Sequence, residues 1–226
     1  MSGLRLDAVE VEPGRTADSA VILMHGLGAD GHDFESLVPE LRLPGSAAVR
    51  WVFPHAPIRP VTINGGHRMR AWYDIVAIDR RSPEDEGGIR SSGAGIRDLV
   101  RRERDRGIAA DRIVLAGFSQ GGAMALFTAL RESERLAGVL ALSSYVPLAA
   151  TLAEEAHPAN AAVRVFMAHG SFDPVVPTIL GEGSRDLLRS RGYEVDWRTY
   201  PMAHSVSAEE IADVREWLLR VLPPRA

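Results

Sequence analysis

The strongest constraint on the fold is a short apolar run that ends in a glycine-flanked serine and is followed at once by an apolar helical segment. The run is Ile113-Val114-Leu115-Ala116, and the next five residues are Gly117-Phe118-Ser119-Gln120-Gly121. Four apolar residues bounded by a glycine turn predict a buried strand, and residues 121–130 predict the helix that follows. This succession is typical of a parallel sheet covered by helices.

The alternation of short apolar runs and longer amphipathic segments continues along the chain. It predicts an α/β fold, with a mostly parallel central sheet and helices on both faces, in a single domain over residues 1–226. The other strands are predicted at 21–24, 49–53, 136–142, 163–168 and 194–200.

Helices are predicted at 33–41 with Asp33 as the N-cap, at 91–106, at 182–191, and in a final segment that opens with a capping box, Ser207 and Glu210. Asn64-Gly65 predicts a hairpin within residues 61–73. Residues 80–90 are charged and glycine-rich, which predicts an exposed loop.

Composition narrows the function. The chain has no cysteine, which excludes disulfides, thiolate metal sites and cysteine nucleophiles. A net charge of −4 gives no reason to expect nucleic acid as a partner. The first ten residues hold no apolar signal core, and no apolar run approaches the roughly 20 residues of a membrane helix. We therefore expect a soluble, cytoplasmic protein without stable membrane insertion.

The serine turn matches the G-x-S-x-G pattern, in which a sharp turn lifts a nucleophilic hydroxyl above the sheet. Side chains two positions before and after the serine would collide, so glycine is needed at 117 and 121. The helix N-terminus favours negative charge near the amide of Gln120. The alternative is a glycine-rich turn with an incidental Ser119.

A nucleophilic serine needs a histidine base and an orienting acid, which follow it in the order serine, acid, histidine in this type of fold. His157 lies in a polar stretch and His169 precedes every plausible acid, whereas His204 follows the last predicted strand. The order therefore favours His204 as the base.

Asp173 is the predicted acid, because it follows the strand at 163–168 and lies where such sites form. Asp186 falls inside a predicted helix and Asp196 inside a predicted strand. Asp173 could alternatively cap the turn before Pro174. The second oxyanion amide is predicted at Leu27, in the loop after the first strand.

With these residues the sequence resembles the phospholipase/carboxylesterase family, which includes acyl-protein thioesterases and bacterial carboxylesterases. The matching segments are the Asp173 loop and residues 25–30 (HGLGAD), 53–57 (FPHAP), 69–74 (MRAWYD), 117–122 (GFSQGG), 142–144 (LSS) and 200–204 (YPMAH). The resemblance implies an α/β-hydrolase fold without a large lid domain, no cofactor, and a monomer or homodimer.

The resemblance also places the triad at Ser119, Asp173 and His204, with oxyanion amides from Leu27 and Gln120. It implies cleavage of short- to medium-chain carboxylic esters, with lysophospholipids and acyl thioesters as alternative substrates. Residues 61–73 would form part of an acyl-binding groove, with Leu27 beside the substrate and Trp72 as an apolar wall. Ser144 replaces an expected glycine, which predicts a different pocket floor.

Two other functions are compatible with parts of the sequence. Four side chains could form a metal-dependent hydrolase centre: His25, Asp30, His32 and Asp33. The glycines at 26, 28 and 31 suit a loop that approaches an oxyanion better. The second rival is a non-catalytic binding protein on the same fold.

Overall fold

The computed structural model describes residues 4–79 and 82–225. The strands in this part of the chain are β1 (Ala8–Val11), β2 (Ser19–Met24), β3 (Val49–Pro54), β4 (Ile58–Val61), β5 (His67–Arg70), β6 (Ile113–Phe118), β7 (Gly138–Leu142), β8 (Val165–Gly170) and β9 (Val195–Tyr200). The α-helices are α1 (Leu37–Glu40), α2 (Glu86–Asp105), α3 (Gln120–Leu130), α4 (Leu152–Glu155), α5 (Thr178–Ser190) and α6 (Ala208–Val221).

Seven strands form one sheet in the order β1-β3-β2-β6-β7-β8-β9, and only β1 runs antiparallel to its neighbour. The predicted mostly parallel sheet is therefore confirmed. Every predicted strand lies within two residues of an observed one. β6, which carries the serine turn at its carboxyl end, lies in the middle of the sheet, where neighbours on both sides hold it rigidly.

The two faces of the sheet are covered by different helices. Along β2, Ile22 and Met24 point into the core that contains side chains of α2, α3 and α5, whereas Val21 and Leu23 point into the core shared with α1 and α6. Because successive strand residues alternate between faces, a continuous apolar run is needed to fill both cores. None of the helices in residues 4–79 and 82–225 is long and apolar enough to cross a bilayer.

The helix predicted at 33–41 is wrong in extent. Residues 31–36 form turns, and α1 covers only Leu37–Glu40. A helix from Asp33 would place Pro39 in its interior, where proline lacks the amide and collides with the preceding turn. In the shorter helix Pro39 falls in the first turn, where it is tolerated, and Asp33 is not the N-cap.

The predicted loop at 80–90 is also only partly correct. Residues 80 and 81 lie outside the described residues, but α2 already begins at Glu86, five residues before the predicted helix. Its N-cap is Asp85, whose carboxylate accepts the amide of Gly88 at 2.9 Å. The other carboxylate oxygen accepts the amide of Asp74 at 2.8 Å, so the cap ties the helix to the segment after β5.

The predicted hairpin is confirmed, with a longer turn than Asn64-Gly65 indicates. β4 and β5 pair antiparallel, with Val61 opposite His67, so five residues connect the strands. The first strand of the hairpin therefore begins at Ile58, before the predicted start at residue 61. α5 likewise begins a turn earlier than predicted, at Thr178.

The predicted capping box of α6 forms only in half. Ser207 Oγ accepts the amide of Glu210 at 3.1 Å, as expected of an N-cap. The Glu210 carboxyl does not reach back to the cap: it is fully buried, and neither oxygen has a hydrogen-bond partner among the described residues. Burial therefore raises the pKa of Glu210 to about 8.

We predict that stability falls as the pH rises because of Glu210. Its pKa is about 8 when folded and 4.5 in the unfolded reference, so between these values the folded protein keeps a proton that the unfolded chain releases. Relative to Glu210→Gln, the wild type should lose at most about 5 kcal/mol of unfolding free energy across this range. Urea unfolding at pH 5, 6.5 and 8 measures the difference.

The control is Glu209→Gln, which changes the exposed neighbour and should follow the wild-type pH profile. If Glu210→Gln also followed it, the carboxyl would not be held protonated by the fold.

Candidate active site

The turn between β6 and α3 holds Ser119 in a strained backbone conformation. Its φ of 55° and ψ of −121° lie outside the regions that side-chain-bearing residues ordinarily adopt. The Ser119 amide donates to the carbonyl of Leu142 at 2.8 Å, which anchors the turn to β7. The hydroxyl is thereby presented at the carboxyl end of the sheet.

The glycines on either side of Ser119 are required by close backbone approach. A Cβ at Gly117 would lie 2.2 Å from the carbonyl carbon of Gly121, and a Cβ at Gly121 would lie 2.1 Å from the carbonyl oxygen of Met24. Both distances are far inside van der Waals contact. A side chain at either glycine would therefore collide with the backbone, as the sequence predicted. At Gly121 the collision would be with the backbone of β2.

Ser119, His204 and Asp173 lie in one hydrogen-bonded chain. His204, in the loop between β9 and α6, has Nε2 3.0 Å from Ser119 Oγ and Nδ1 2.7 Å from Asp173 Oδ2. The ring of Phe118 lies 4.7 Å from the His204 ring and supports its side. The structure therefore brings together the three residues that the sequence predicted as a triad.

The loop after β8 holds the Asp173 carboxylate through one of its oxygens. Oδ1 accepts the amides of Val175 and Val176, each at 2.8 Å, and leaves Oδ2 for His204. The other two candidates for the triad acid form ion pairs elsewhere. Asp186 pairs with Arg185, and Asp196 pairs with arginines on β9 and α6.

His169 lies closer to this acid than its sequence position indicated. Its Nε2 donates to the carbonyl of Val176 at 2.8 Å and lies 3.5 Å from Asp173 Oδ2. The ring is fully buried, and burial lowers its pKa. The only sign of this proximity in the sequence is that His169 precedes Asp173 by four residues. His157 instead caps a short 3₁₀ turn by accepting the amide of Ala159.

The loop after β2 carries the amide of Leu27. Its orientation is set by His25, whose Nε2 accepts the amide of Ala56 at 3.1 Å, so that Nδ1 carries the proton and donates to the carbonyl of Gly26 at 2.7 Å. The Gly26 carbonyl and the Leu27 N–H belong to one planar trans peptide and point in opposite directions. Holding the carbonyl therefore aims the amide away from the His25 ring.

The Gln120 amide at the start of α3 is the other predicted oxyanion donor. In the described part of the chain, neither this amide nor that of Leu27 donates to a protein acceptor. The Gln120 side chain is buried and donates from Nε2 to the carbonyl of Tyr73 at 2.8 Å.

Trp72 is not the groove wall implied by the resemblance. Its side chain is completely buried in the core, and its indole Nε1 donates to the carbonyl of His25 at 2.9 Å. An indole at this position finds a partner for its N–H beneath the loop after β2 rather than facing solvent.

Ser144 is likewise not on the floor of an open pocket. Its hydroxyl is buried and donates to the carbonyl of Ser119 at 2.8 Å. It packs so closely on α3 that a Cβ at Gly122 would lie 2.8 Å from its own Cβ. Ser144 therefore braces the serine turn from below.

A cavity of about 470 Å³ is walled in part by Tyr73 and Tyr145, and none of residues 117–121 of the serine turn lines it. The two tyrosines link the cavity to that turn: the carbonyl of Tyr73 accepts from Gln120, and Tyr145 follows Ser144 in sequence. The two tyrosine hydroxyls are hydrogen-bonded to each other at 2.9 Å. The other wall includes Val146, Leu180 and Leu187. A cavity of this size is within the usual range for small-molecule sites. Of the predicted groove segment at 61–73, only Tyr73 lines this cavity.

Three of the four residues of the alternative metal site, His25, Asp30 and His32, form hydrogen bonds with protein groups instead. Both ring nitrogens of His25 bond to backbone groups, and the exposed His32 pairs with Glu35 at 3.0 Å. Asp30 accepts the amide of His32. Within residues 4–79 and 82–225, no three histidine, aspartate or glutamate side chains come together as metal ligands would.

The mostly parallel sheet, the helices on both faces and the strained serine turn define an α/β hydrolase. A model of the phospholipase/carboxylesterase family matches residues 6–222. The chain therefore belongs to the phospholipase/carboxylesterase family, and it is a hydrolase of that family.

Individual relatives agree with this assignment. Acyl-protein thioesterase 1 of Neurospora crassa is 46% identical over 214 residues, which cover 91% of this chain and 87% of the relative. Acyl-protein thioesterase 1 of Gibberella zeae is 41% identical and covers 92% of each chain. The crystal structure of Zea mays acyl-protein thioesterase 2 has 30% identity and a TM-score of 0.86, covering 96% of this chain and 99% of that one.

We predict that His25 stays neutral across the physiological range, as its Nδ1–H tautomer. Burial lowers its pKa to about 4 from 6.5, so below about pH 6.5 the unfolded chain binds a proton that the folded protein rejects. His25 should therefore reduce stability as the pH falls from 6.5 to 4, by about 3 kcal/mol. Nitrogen-15 NMR of the imidazole measures tautomer and titration, with His25→Asn assigning the signals. A midpoint near 6.5 would contradict the burial argument.

Proposed function

We propose that this protein is a serine hydrolase that cleaves short- to medium-chain carboxylic esters through an acyl-enzyme on Ser119. The observation that carries the proposal is the continuous chain from Ser119 Oγ through His204 to the buried Asp173 carboxylate. A hydroxyl, a base and an orienting acid in this geometry are the requirements of nucleophilic acyl transfer. The three residues lie at the carboxyl end of the sheet, beside two amides that donate to no acceptor within residues 4–79 and 82–225.

In the first half of the reaction, Ser119 Oγ attacks the ester carbonyl while His204 Nε2 takes its proton. The carbonyl oxygen becomes an oxyanion that accepts hydrogen bonds from the Leu27 and Gln120 amides. Asp173 keeps the Nδ1 proton in place and stabilises the imidazolium. When the oxyanion collapses, the bond to the alcohol breaks, and His204 returns the proton to that leaving oxygen.

In the second half, water enters where the alcohol left. His204 takes a proton from the water as its oxygen adds to the acyl carbonyl, and the same two amides receive the second oxyanion. Collapse breaks the bond to Ser119 Oγ, which regains its proton from His204. The products are the free acid and the unchanged enzyme, so no redox cofactor or activating nucleotide is consumed.

We propose that the acyl group occupies the cavity walled by Tyr73 and Tyr145. Both residues are bonded or adjacent to groups that hold the serine turn, so an acyl carbon on Ser119 would be close to the cavity. The wall of the cavity combines apolar side chains with the two tyrosines and with the acidic residues Asp74 and Glu84.

A thioester substrate is the second candidate. The observation that favours it is the 46% and 41% identity to proteins named acyl-protein thioesterase 1. The chemistry is the same except that His204 protonates a leaving sulfur. The lysophospholipase alternative requires the same triad with a larger alcohol. We further propose that residues 1–226 act as one domain, because seven of the nine strands, from β1 to β9, form one sheet and the family model spans 6–222.

We predict that Ser119→Ala lowers kcat by roughly 10⁴–10⁶ without unfolding the protein, because alanine removes the nucleophile and keeps the Cβ that the turn already accommodates. The measurement is hydrolysis of p-nitrophenyl esters from acetate to palmitate, together with acyl thioesters of matched chain length. Ser190→Ala, at the end of α5, is the matched control and should retain full activity. Near wild-type turnover in Ser119→Ala would refute the assignment, whereas the ester-to-thioester ratio decides between the two substrate candidates.

We predict that Asp173→Asn lowers kcat by about 10⁴, because an amide cannot stabilise the imidazolium and favours the wrong tautomer of His204. KM should change much less than kcat, since the loss arises in the transition state. Asp186→Asn on the exposed side of α5 is the control for charge removal. If both variants lost the same small fraction of activity, Asp173 would only be capping its loop.

A further inference from the structure

Trp72 touches both halves of the proposed oxyanion site from a third segment of the chain. Its indole Nε1 donates to the carbonyl of His25 at 2.9 Å, and its backbone amide donates to Gln120 Oε1 at 2.8 Å. The Ser92 hydroxyl donates to its carbonyl, which anchors the residue on α2. All three polar groups of Trp72 are therefore engaged, and two of them engage the loops that carry the candidate oxyanion amides.

The two amides need such a connection because they come from different loops. Leu27 follows β2, whereas Gln120 opens α3 after β6. Stabilisation of an oxyanion depends on donors preorganised at about 2.7–3.1 Å from the developing charge. A small relative displacement of the two loops would lengthen at least one of these bonds.

The contacts of Trp72 act on the orientation of each donor. The bond to the His25 carbonyl holds the peptide next to the one that bears the Leu27 N–H, and the His25 ring, 5.3 Å from the indole, holds the Gly26 carbonyl. On the other side, Gln120 Oε1 accepts from Trp72 while Nε2 donates to the Tyr73 carbonyl. Both polar atoms of the Gln120 side-chain amide are thus held by hydrogen bonds.

We propose that Trp72 is a positioning residue that locks the Leu27 and Gln120 amides into one oxyanion site. This inference rests on the proposed function, because it assigns a role in stabilising the charge that attack by Ser119 creates. Trp72 itself does not contact substrate: its side chain has no exposed surface. Its indole N–H acts on the loop that carries Leu27, whereas its contact to Gln120 is made by the backbone amide.

The test is Trp72→Phe, which removes the indole N–H and keeps the backbone amide and an aromatic ring. We expect kcat to fall by about 10- to 100-fold, less than the roughly 10²–10³ for complete loss of one oxyanion donor, with little change in KM. A trifluoromethyl ketone that adds to Ser119 forms a tetrahedral oxyanion, so its inhibition constant should rise by the same factor as kcat/KM falls.

The control is Trp217→Phe, which removes an equally buried indole that packs on Phe166 in the opposite core. It should lower the melting temperature comparably while leaving kcat and the inhibition constant unchanged. If Trp72→Phe is too unstable to assay, replacement of Trp72 by 3-benzothienylalanine removes the N–H at nearly constant shape and should show the same parallel losses.

Two outcomes would overturn the inference: wild-type kcat in both Trp72 replacements, or a lower kcat without a matching rise in the inhibition constant. The proposed function is tested separately by Ser119→Ala. An active Ser119→Ala variant would defeat the function itself, whereas an inactive one beside unaffected Trp72 variants would defeat only the role of Trp72.

Discussion

The close approach of the first turn of α3 to β2 determines where every other part of the site can lie. With no side chain at Gly121, the backbone of α3 reaches the carbonyl of Met24, and with none at Gly117 the chain can reverse within one residue. Ser119 absorbs this reversal through its positive φ. The cost of such a conformation is of order 1–3 kcal/mol, and the surrounding sheet must offset it. The hydroxyl and the Gln120 amide then have no freedom to move apart.

The groups around this turn come from loops, yet each loop is stiffened by bonds to fixed groups. Asp173 is held by two amides of its own loop, His25 by the amide of Ala56, and Gln120 by the segment after β5. Most of these bonds are buried and would leave costly unpaired groups if broken. The site is therefore preorganised by backbone hydrogen bonding, which suits stabilisation of a charge that exists only during the reaction.

The parts that the sequence predicted well are those with a local signal. Ser119 follows a buried strand and is flanked by glycines, and the chain order singled out Asp173 and His204, which the structure brings into contact. The parts it missed depend on tertiary contacts. Nothing in the neighbourhood of Trp72 indicates that its N–H meets His25 rather than a substrate groove, and α2 starts early because Asp85 caps it despite two following glycines. The shorter first helix has a local signal, because Pro39 opposes a helix that runs from Asp33 to residue 41.

Two buried titratable groups oppose each other in setting the pH range of the fold. His25 is held neutral, so its contribution grows as the pH rises from 4 towards 6.5, whereas Glu210 is held protonated and destabilises the fold increasingly from pH 4.5 to 8. Between 4.5 and 6.5 the two slopes largely cancel, and above 6.5 only that of Glu210 remains. His25 supports the loop that carries Leu27, whereas Glu210 belongs to the helix that follows His204. Acid therefore lowers the unfolding free energy through a residue that supports the proposed oxyanion loop, and base lowers it through a residue of the helix after the proposed catalytic histidine.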